Sequence, residues 1–142
     1  MTDAERQALL DALRAEYAAV YAYGVIAAYA SPERAGLIAE HTAAHRARRD
    51  ATADALRAAG ADVPSPDAAY GVPFPVPDPV AAARLAETVE TDATVAWRAV
   101  VEQGDSEATR RLGVEALTEA ALRLAAWQAI LGTPSPALPG TV

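Results

Sequence analysis

A proline-rich segment in the middle of the chain limits the possible folds more than any other feature of the sequence. Residues 61–79 hold six of the ten prolines. Proline lacks a backbone N–H, so it interrupts helix interiors and is confined to the edges of β-sheets. On both sides of this segment, apolar residues recur with the helical period of about 3.6 residues. The sequence therefore predicts two helical halves joined by an extended connection.

Each half carries the start and stop signals of two helices. Ser31 precedes Pro32 and Asp78 precedes Pro79, and a capping side chain before proline is typical of a helix N-terminus. Glycines follow the ends of three helices. We predict helices over residues 3–29, 32–59, 79–103 and 106–131, a crossover over residues 60–78, and a flexible tail over residues 133–142.

The lengths of these segments predict how the helices are arranged. Very short turns join the first two helices and the last two, so each pair must lie antiparallel. A helix of about 26 residues is roughly 39 Å long, and the crossover, near-extended, could span about 55 Å. We predict an all-α fold in one domain, residues 1–132. It is a four-helix bundle of two antiparallel hairpins joined by one long proline-rich crossover.

The second half of the crossover alternates apolar side chains with proline and glycine. An extended strip with this alternation has one apolar edge, which we expect to pack along the helices. The apolar residues of the strip are Tyr70, Val72, Phe74 and Val76.

Composition excludes several classes of site. The chain has no cysteine, so it has neither disulfides nor thiolate ligands. All 12 basic residues are arginine, which excludes Schiff-base chemistry on lysine. A net charge of -7 disfavours nucleic acid as a partner, since binding to its phosphates is driven by clustered cations. The serines lie at caps or in proline-rich loops, and no phosphate-binding glycine loop is present, so we assign no catalytic residue.

The N-terminal sequence and the hydropathy pattern bear on localisation. The segment MTDAERQ lacks the basic and apolar regions of a signal peptide. No apolar run reaches the ~20 residues that cross a bilayer. We expect a cytoplasmic protein without a membrane partner.

The second predicted helix carries polar residues on its apolar face. At about 100° per residue, His41, His45 and Arg48 share a face with Leu37 and Leu56. Buried polar groups need hydrogen-bond or ion-pair partners. Those partners must come from the other helices.

Counting residues outward from the turns predicts which side chains lie at the depth of His45. Reflection about the first turn places Glu16 there, and the parallel alignment of the second and third helices places Asp92 there. Glu90 is the other candidate on the third helix, and the fourth helix contributes Leu117. The predicted buried polar cluster consists of Glu16, His45, Arg48 and Asp92.

Four segments distributed over nearly the whole chain carry a family resemblance. They are AEYAAVYAYGVIAAY (15–29), HRARRDA (45–51), AAYGVPFPVPDP (68–79) and ALTEAALRLAAW (116–127). Through them the chain resembles ferritin-like domains, and more narrowly a small bacterial ferritin-like family of unknown function. The resemblance implies a ferritin-like four-helix bundle. It implies no reaction, since the narrower family has no assigned activity.

The resemblance also implies a comparison with di-iron sites. Ferritin-like di-iron proteins use a glutamate from each of two helices and a Glu-x-x-His motif from each of the others. Glu16 matches the first position, but the second helix has His41 and His45 in an HxxxH spacing instead. The fourth helix has no histidine, and its Glu115 and Glu119 are predicted to face solvent. The di-iron site is therefore degenerate.

Two hypotheses follow for the polar core. In the favoured one, Arg48 and a protonated His45 neutralise the carboxylates of Glu16 and Asp92. The chain is then a binding or structural module with an unknown small-molecule ligand and without a cofactor. In the alternative, the chain is an iron or manganese carboxylate protein with oxidase or metal-binding chemistry. The ligands of that reduced metal site would be Glu16, His41, His45 and Asp92.

The first helix suggests a partner. Residues 17–30 contain no charge, so both the front and the back of this half-helix are apolar. A helix that is apolar all round must be covered on every side. The crossover could cover the back face, but we expect a homodimer with Ile26 at or near its interface.

Overall fold

The computed structural model describes all 142 residues, which form four long helices and no β-strand. The fold is an all-α four-helix bundle. No helix combines the length and the apolar character needed to cross a bilayer. The helices are α1 (Asp3–Tyr29), α2 (Ala35–Ala58), α3 (Pro79–Gln103) and α4 (Glu107–Leu131), and one turn of 3-10 helix (Pro32–Arg34) precedes α2.

Side-chain caps fix the first turns of three helices. The hydroxyls of Thr2 and Ser106 and the carboxylate of Asp78 each accept a hydrogen bond from a backbone N–H three residues further on. The donor–acceptor distances are 3.1, 3.0 and 2.8 Å, respectively. Ser31 makes no such bond. Gly132 ends α4 with a φ of 72°, a conformation that glycine adopts without a steric penalty.

The helices enclose two apolar clusters, one built around Trp97 and the other around Trp127. α1 packs against α2 and α3, and α3 packs against α4. α2 and α4 make few close backbone approaches, and a groove of about 520 Å³ lies between them. Along the bundle axis, fully buried polar residues separate the two clusters.

The crossover lies along the bundle. The hydroxyl of Tyr17 in α1 donates a hydrogen bond to the carbonyl of Pro64 at 2.8 Å. Further along, the rings of Tyr21 and Tyr70 are 5.7 Å apart. Phe74 is half-buried against the cluster that contains Trp127. The segment is therefore attached to the helices at several points along its length.

The back face of α1 is covered within the chain. Ile26 is fully buried, and Ala19 and Ala22 on the same face are also buried. Ile26 belongs to a core cluster that includes Leu85 of α3. Its predicted place at a dimer interface is therefore wrong, because α3 and the crossover already cover this face. Self-association stays a prediction, but another surface would have to provide it.

The C-terminal tail, which we predicted to be flexible, contacts α3 at Gly140. This glycine has a φ of 83°. A Cβ atom here would lie 2.5 Å from the carbonyl oxygen of Thr94 and 2.8 Å from Cβ of Arg98. Only glycine allows the backbone of the tail to approach the helix so closely.

Replacing Phe74 with alanine tests whether the crossover contributes to stability. Because the ring is half-buried, Phe74→Ala should lower the free energy of unfolding by about 1–2 kcal/mol, less than for a fully buried phenylalanine. Val72 is 39% exposed in the same strip, so Val72→Ala should cost less than about 0.5 kcal/mol. Urea denaturation measures both. Equal, negligible losses would show that the crossover is a free linker.

Candidate functional site

His45 lies at the centre of the buried polar residues, between carboxylates from two other helices. Its Nδ1 is 2.6 Å from Oε2 of Glu16 in α1. Its Nε2 is 2.7 Å from Oε1 of Glu90 in α3. All three side chains are fully buried. The imidazole thus joins three helices of the bundle.

We infer the charge of His45 from this geometry. An imidazole that donates from both ring nitrogens must carry two protons and a positive charge. Burial lowers the pKa of His45, but hydrogen bonds and charges from Glu16 and Glu90 outweigh burial and raise it to about 9. Because this lies above the ordinary value of 6.5, the imidazolium stabilises the fold fully below that pH. The contribution is lost as pH rises through about 9.

Arg123 of α4 supplies a second cation. Its Nε lies 3.1 Å from each carboxylate oxygen of Glu90. Burial would raise the pKa of Glu90, but His45 and Arg123 hold it below its usual value. Within this cluster, the carboxylates of Glu16 and Glu90 are balanced by one imidazolium and one guanidinium, and all four helices contribute to it.

Aromatic side chains complete the hydrogen bonding of the two glutamates. Trp97 donates its indole N–H to Oε1 of Glu16 at 2.7 Å. Tyr23 donates its hydroxyl to Oε1 of Glu90, also at 2.7 Å. Burial, together with the charge of Glu90, raises the pKa of Tyr23, which therefore keeps its proton. All four carboxylate oxygens have partners.

His41, one turn before His45, has a different environment. Trp127 directs its indole N–H between the hydroxyl oxygen of Tyr23 and Nδ1 of His41, at 3.0 and 3.1 Å. Burial lowers the pKa of His41, so this ring is neutral where His45 is charged. We name the whole set the buried polar network: Glu16, Tyr23, His41, His45, Glu90, Trp97, Arg123 and Trp127.

Asp92 is not part of this network, so its predicted place in the polar cluster is wrong. Its side chain is exposed, and Glu90 occupies the core position on α3. Glu90 shares a face with the buried Ala93 and Trp97, three and seven residues further on. Asp92 lies about 200° around the helix from Glu90. Asp92 therefore lies near the predicted depth in the bundle but on a different face of α3.

Arg48 makes no ion pair with Glu16 or Glu90, so its predicted place in the buried polar cluster is also wrong. Its side chain is only 13% exposed and lies over Trp97, with Cζ 5.9 Å from the ring centroid, but its guanidinium donates to the half-exposed carboxylate of Glu119 at 2.7 Å instead of to the buried glutamates. Counting from the turn offered only Leu117 on α4 and missed Arg123. Side chains lean toward the N-terminus of their own helix, and arginine is long enough to reach about one turn back. A prediction of depth from Cα positions alone does not include the length of the arginine side chain.

The polar residues do not fit a metal ion. Of the predicted ligands, Asp92 lies elsewhere, and both ring nitrogens of His45 are occupied by Glu16 and Glu90. A histidine binds a metal through an unprotonated nitrogen, which His45 lacks in this arrangement. No group of three or more acidic or histidine side chains has the geometry to hold a metal. The chemistry of this donor set is that of closed ion pairs.

Two arginines provide a matched test of this charge balance. Arg123→Met leaves Glu90 buried beside one cation fewer, and should lower the free energy of unfolding by about 3–5 kcal/mol. Arg48→Met breaks a pair in which Arg48 is 13% exposed but its glutamate is 51% exposed, so it leaves no buried carboxylate unpaired and should cost clearly less than Arg123→Met. Urea denaturation near pH 7 compares them. A larger loss for Arg48→Met would contradict this assignment of the buried cation.

Comparisons with known proteins agree with this fold. A family model described as a domain of unknown function (DUF4439) matches residues 8–142. The crystal structure of a conserved hypothetical protein, rv2844, from Mycobacterium tuberculosis is similar, with a TM-score of 0.89 and 38% sequence identity. The match covers 92% of this chain and 98% of that chain. No protein with curated annotation matches. The chain therefore belongs to the DUF4439 family, whose function is unknown.

Proposed function

We propose that this chain is a ferritin-like binding or structural domain whose polar core is held together by its own cations instead of metal ions. The observation that carries the proposal is the position of His45, which contacts Glu16 through one ring nitrogen and Glu90 through the other. The two antiparallel hairpins and the long crossover support the ferritin-like assignment.

The charge balance of the core supports a metal-free state. In a di-iron protein, anionic oxygen ligands surround two metal cations. Here His45 and Arg123 already neutralise Glu16 and Glu90, within hydrogen-bond distance. A metal ion entering this site would have to displace at least one proton from the imidazolium. It would also add positive charge beside the guanidinium of Arg123. Both changes oppose metal binding.

The accessibility of the network supports a structural role for it. A general acid or base must lie within hydrogen-bond reach of its substrate. Glu16, His45 and Glu90 are fully buried, and their polar atoms already have partners within the chain. Other molecules would therefore have to bind without direct contact with these three side chains.

Metal analysis tests the proposal against the iron or manganese alternative. The protein, purified without chelator or a histidine tag, should contain far less than one metal ion per chain. Added iron(II), manganese(II) or zinc should leave the midpoint of thermal unfolding nearly unchanged. A specific metal at one hundred times its Kd would instead add about 2.7 kcal/mol of stability.

A matched pair of variants identifies the source of any metal effect. His45→Ala removes the central ring, and Glu115→Gln alters an exposed carboxylate of α4 outside the network. Near-stoichiometric metal that stabilises the unmodified protein and Glu115→Gln, but is lost in His45→Ala, would overturn the proposal. It would establish a metalloprotein.

A further inference from the structure

A separate cavity lies between α1, α3 and the crossover. Its volume is about 620 Å³, within the range of sites that bind small molecules. None of the residues of the buried polar network lines it. Its walls are mainly apolar and include Ala15, Ala18, Ala19, Ala22, Leu85 and Val89.

The sequence of α1 explains why this space is left open. The alanines at 15, 18, 19 and 22 recur at helical spacing and form one face. A methyl group is too short to fill the distance between two helices and the strip that crosses them. The crossover residues 70–73 form the opposite wall. Part of the uncharged half of α1, at Ala18, Ala19 and Ala22, therefore borders the cavity as well as other parts of the protein.

Asp92 is the only charged residue that lines the cavity. It is exposed at the cavity wall and makes no hydrogen bond or ion pair with any other side chain. Partial burial raises its pKa, as expected for a carboxylate that lacks a compensating partner. Thr88, which also lines the cavity, uses its hydroxyl to donate to the carbonyl of Arg84 in its own helix. The unpaired carboxylate is thus the one strong polar determinant of the cavity.

Two tyrosines add a surface that suits a cation. Tyr21 and Tyr70 line the cavity, with ring centroids 5.7 Å apart and planes inclined at 57°. The faces of aromatic rings attract organic cations. The hydroxyl of Tyr70 accepts a hydrogen bond from the backbone N–H of Asp67 at 2.9 Å, which holds this ring in place.

We propose that this cavity binds a small organic cation, with an apolar body among the alanines of α1 and an ammonium group beside Asp92. The apolar walls and the single unpaired carboxylate are complementary to such a molecule in shape and charge. An organic acid of the same size would be repelled by Asp92. This inference rests on the proposed binding role of the chain, but on no residue of the buried polar network.

Three probes with one carbon skeleton test the ligand class: 4-phenylbutylamine, 4-phenylbutanol and 4-phenylbutyrate. Titration calorimetry measures their affinities, and NMR of labelled alanine methyl groups and tyrosine rings locates them. A charge-assisted contact is worth more than a neutral one, so the amine should bind about tenfold more tightly than the alcohol. The carboxylate should bind more weakly than either.

Matched variants separate specific recognition from general attraction of cations to an acidic protein. Asp92→Asn should remove the preference for the amine over the alcohol. Glu115→Gln makes the same charge change on an exposed part of α4 that does not line this cavity, and should leave the preference intact. Equal losses in the two variants would attribute the preference to net charge and overturn the proposal.

Filling the cavity tests its location. Ala18 is half-buried, so Ala18→Phe can occupy the space and should abolish binding of both the amine and the alcohol. Ala15→Phe, at another half-buried wall position, replaces it if Ala18→Phe loses its helical circular dichroism. Unchanged binding in a folded filling variant, or equal affinity for amine and carboxylate, would overturn the proposal. If this binding test fails but the purified protein contains no metal, only the proposed ligand class is rejected. The proposal for the metal-free polar core then still stands.

Discussion

The ion pairs of His45 with Glu16 and Glu90 are the interaction on which the rest of the structure depends. Two carboxylates buried between apolar clusters would be strongly destabilising without compensating charge. One doubly protonated ring compensates both and connects α1, α2 and α3. Arg123 extends the same compensation to α4. The bundle is held at its centre by a neutral, fully paired polar network.

We infer that such a network contributes more to the specificity of packing than to stability. Desolvation of buried charges costs several kcal/mol per ion. The attraction between the paired charges offsets this cost only when every partner is in place. The benefit here is that one arrangement of four helices satisfies all members at once. This matters most between α2 and α4, which make few close backbone approaches. Their connection relies on Arg123 through Glu90, and on the outer pair of Arg48 with Glu119.

Sequence reasoning predicted the helices well because their ends are set by local chemistry: caps, prolines and glycines. It also placed Glu16 and His45 together, since a short turn fixes the register of two antiparallel helices. It failed where long-range packing or side-chain length decides. Glu90 and Asp92 lie at nearly the same depth on α3, and only the packing of the helices decides that Glu90 faces the core. The long side chain of Arg123 reaches Glu90 from a position further along α4. Ile26 was assigned to an interface because a sequence does not show what covers a face.

The charge of His45 is the quantity that tests this account most directly. The chain has two histidines, so ¹⁵N NMR of histidine-labelled protein gives two sets of ring signals, assigned with a His41→Gln variant. We predict that near pH 7 both ring nitrogens of His45 carry protons, and that one of the two is lost only near pH 9, in keeping with its raised pKa. His41 should be neutral in the same spectrum. A neutral His45 near pH 7 would contradict the internal cation and the metal-free core built on it.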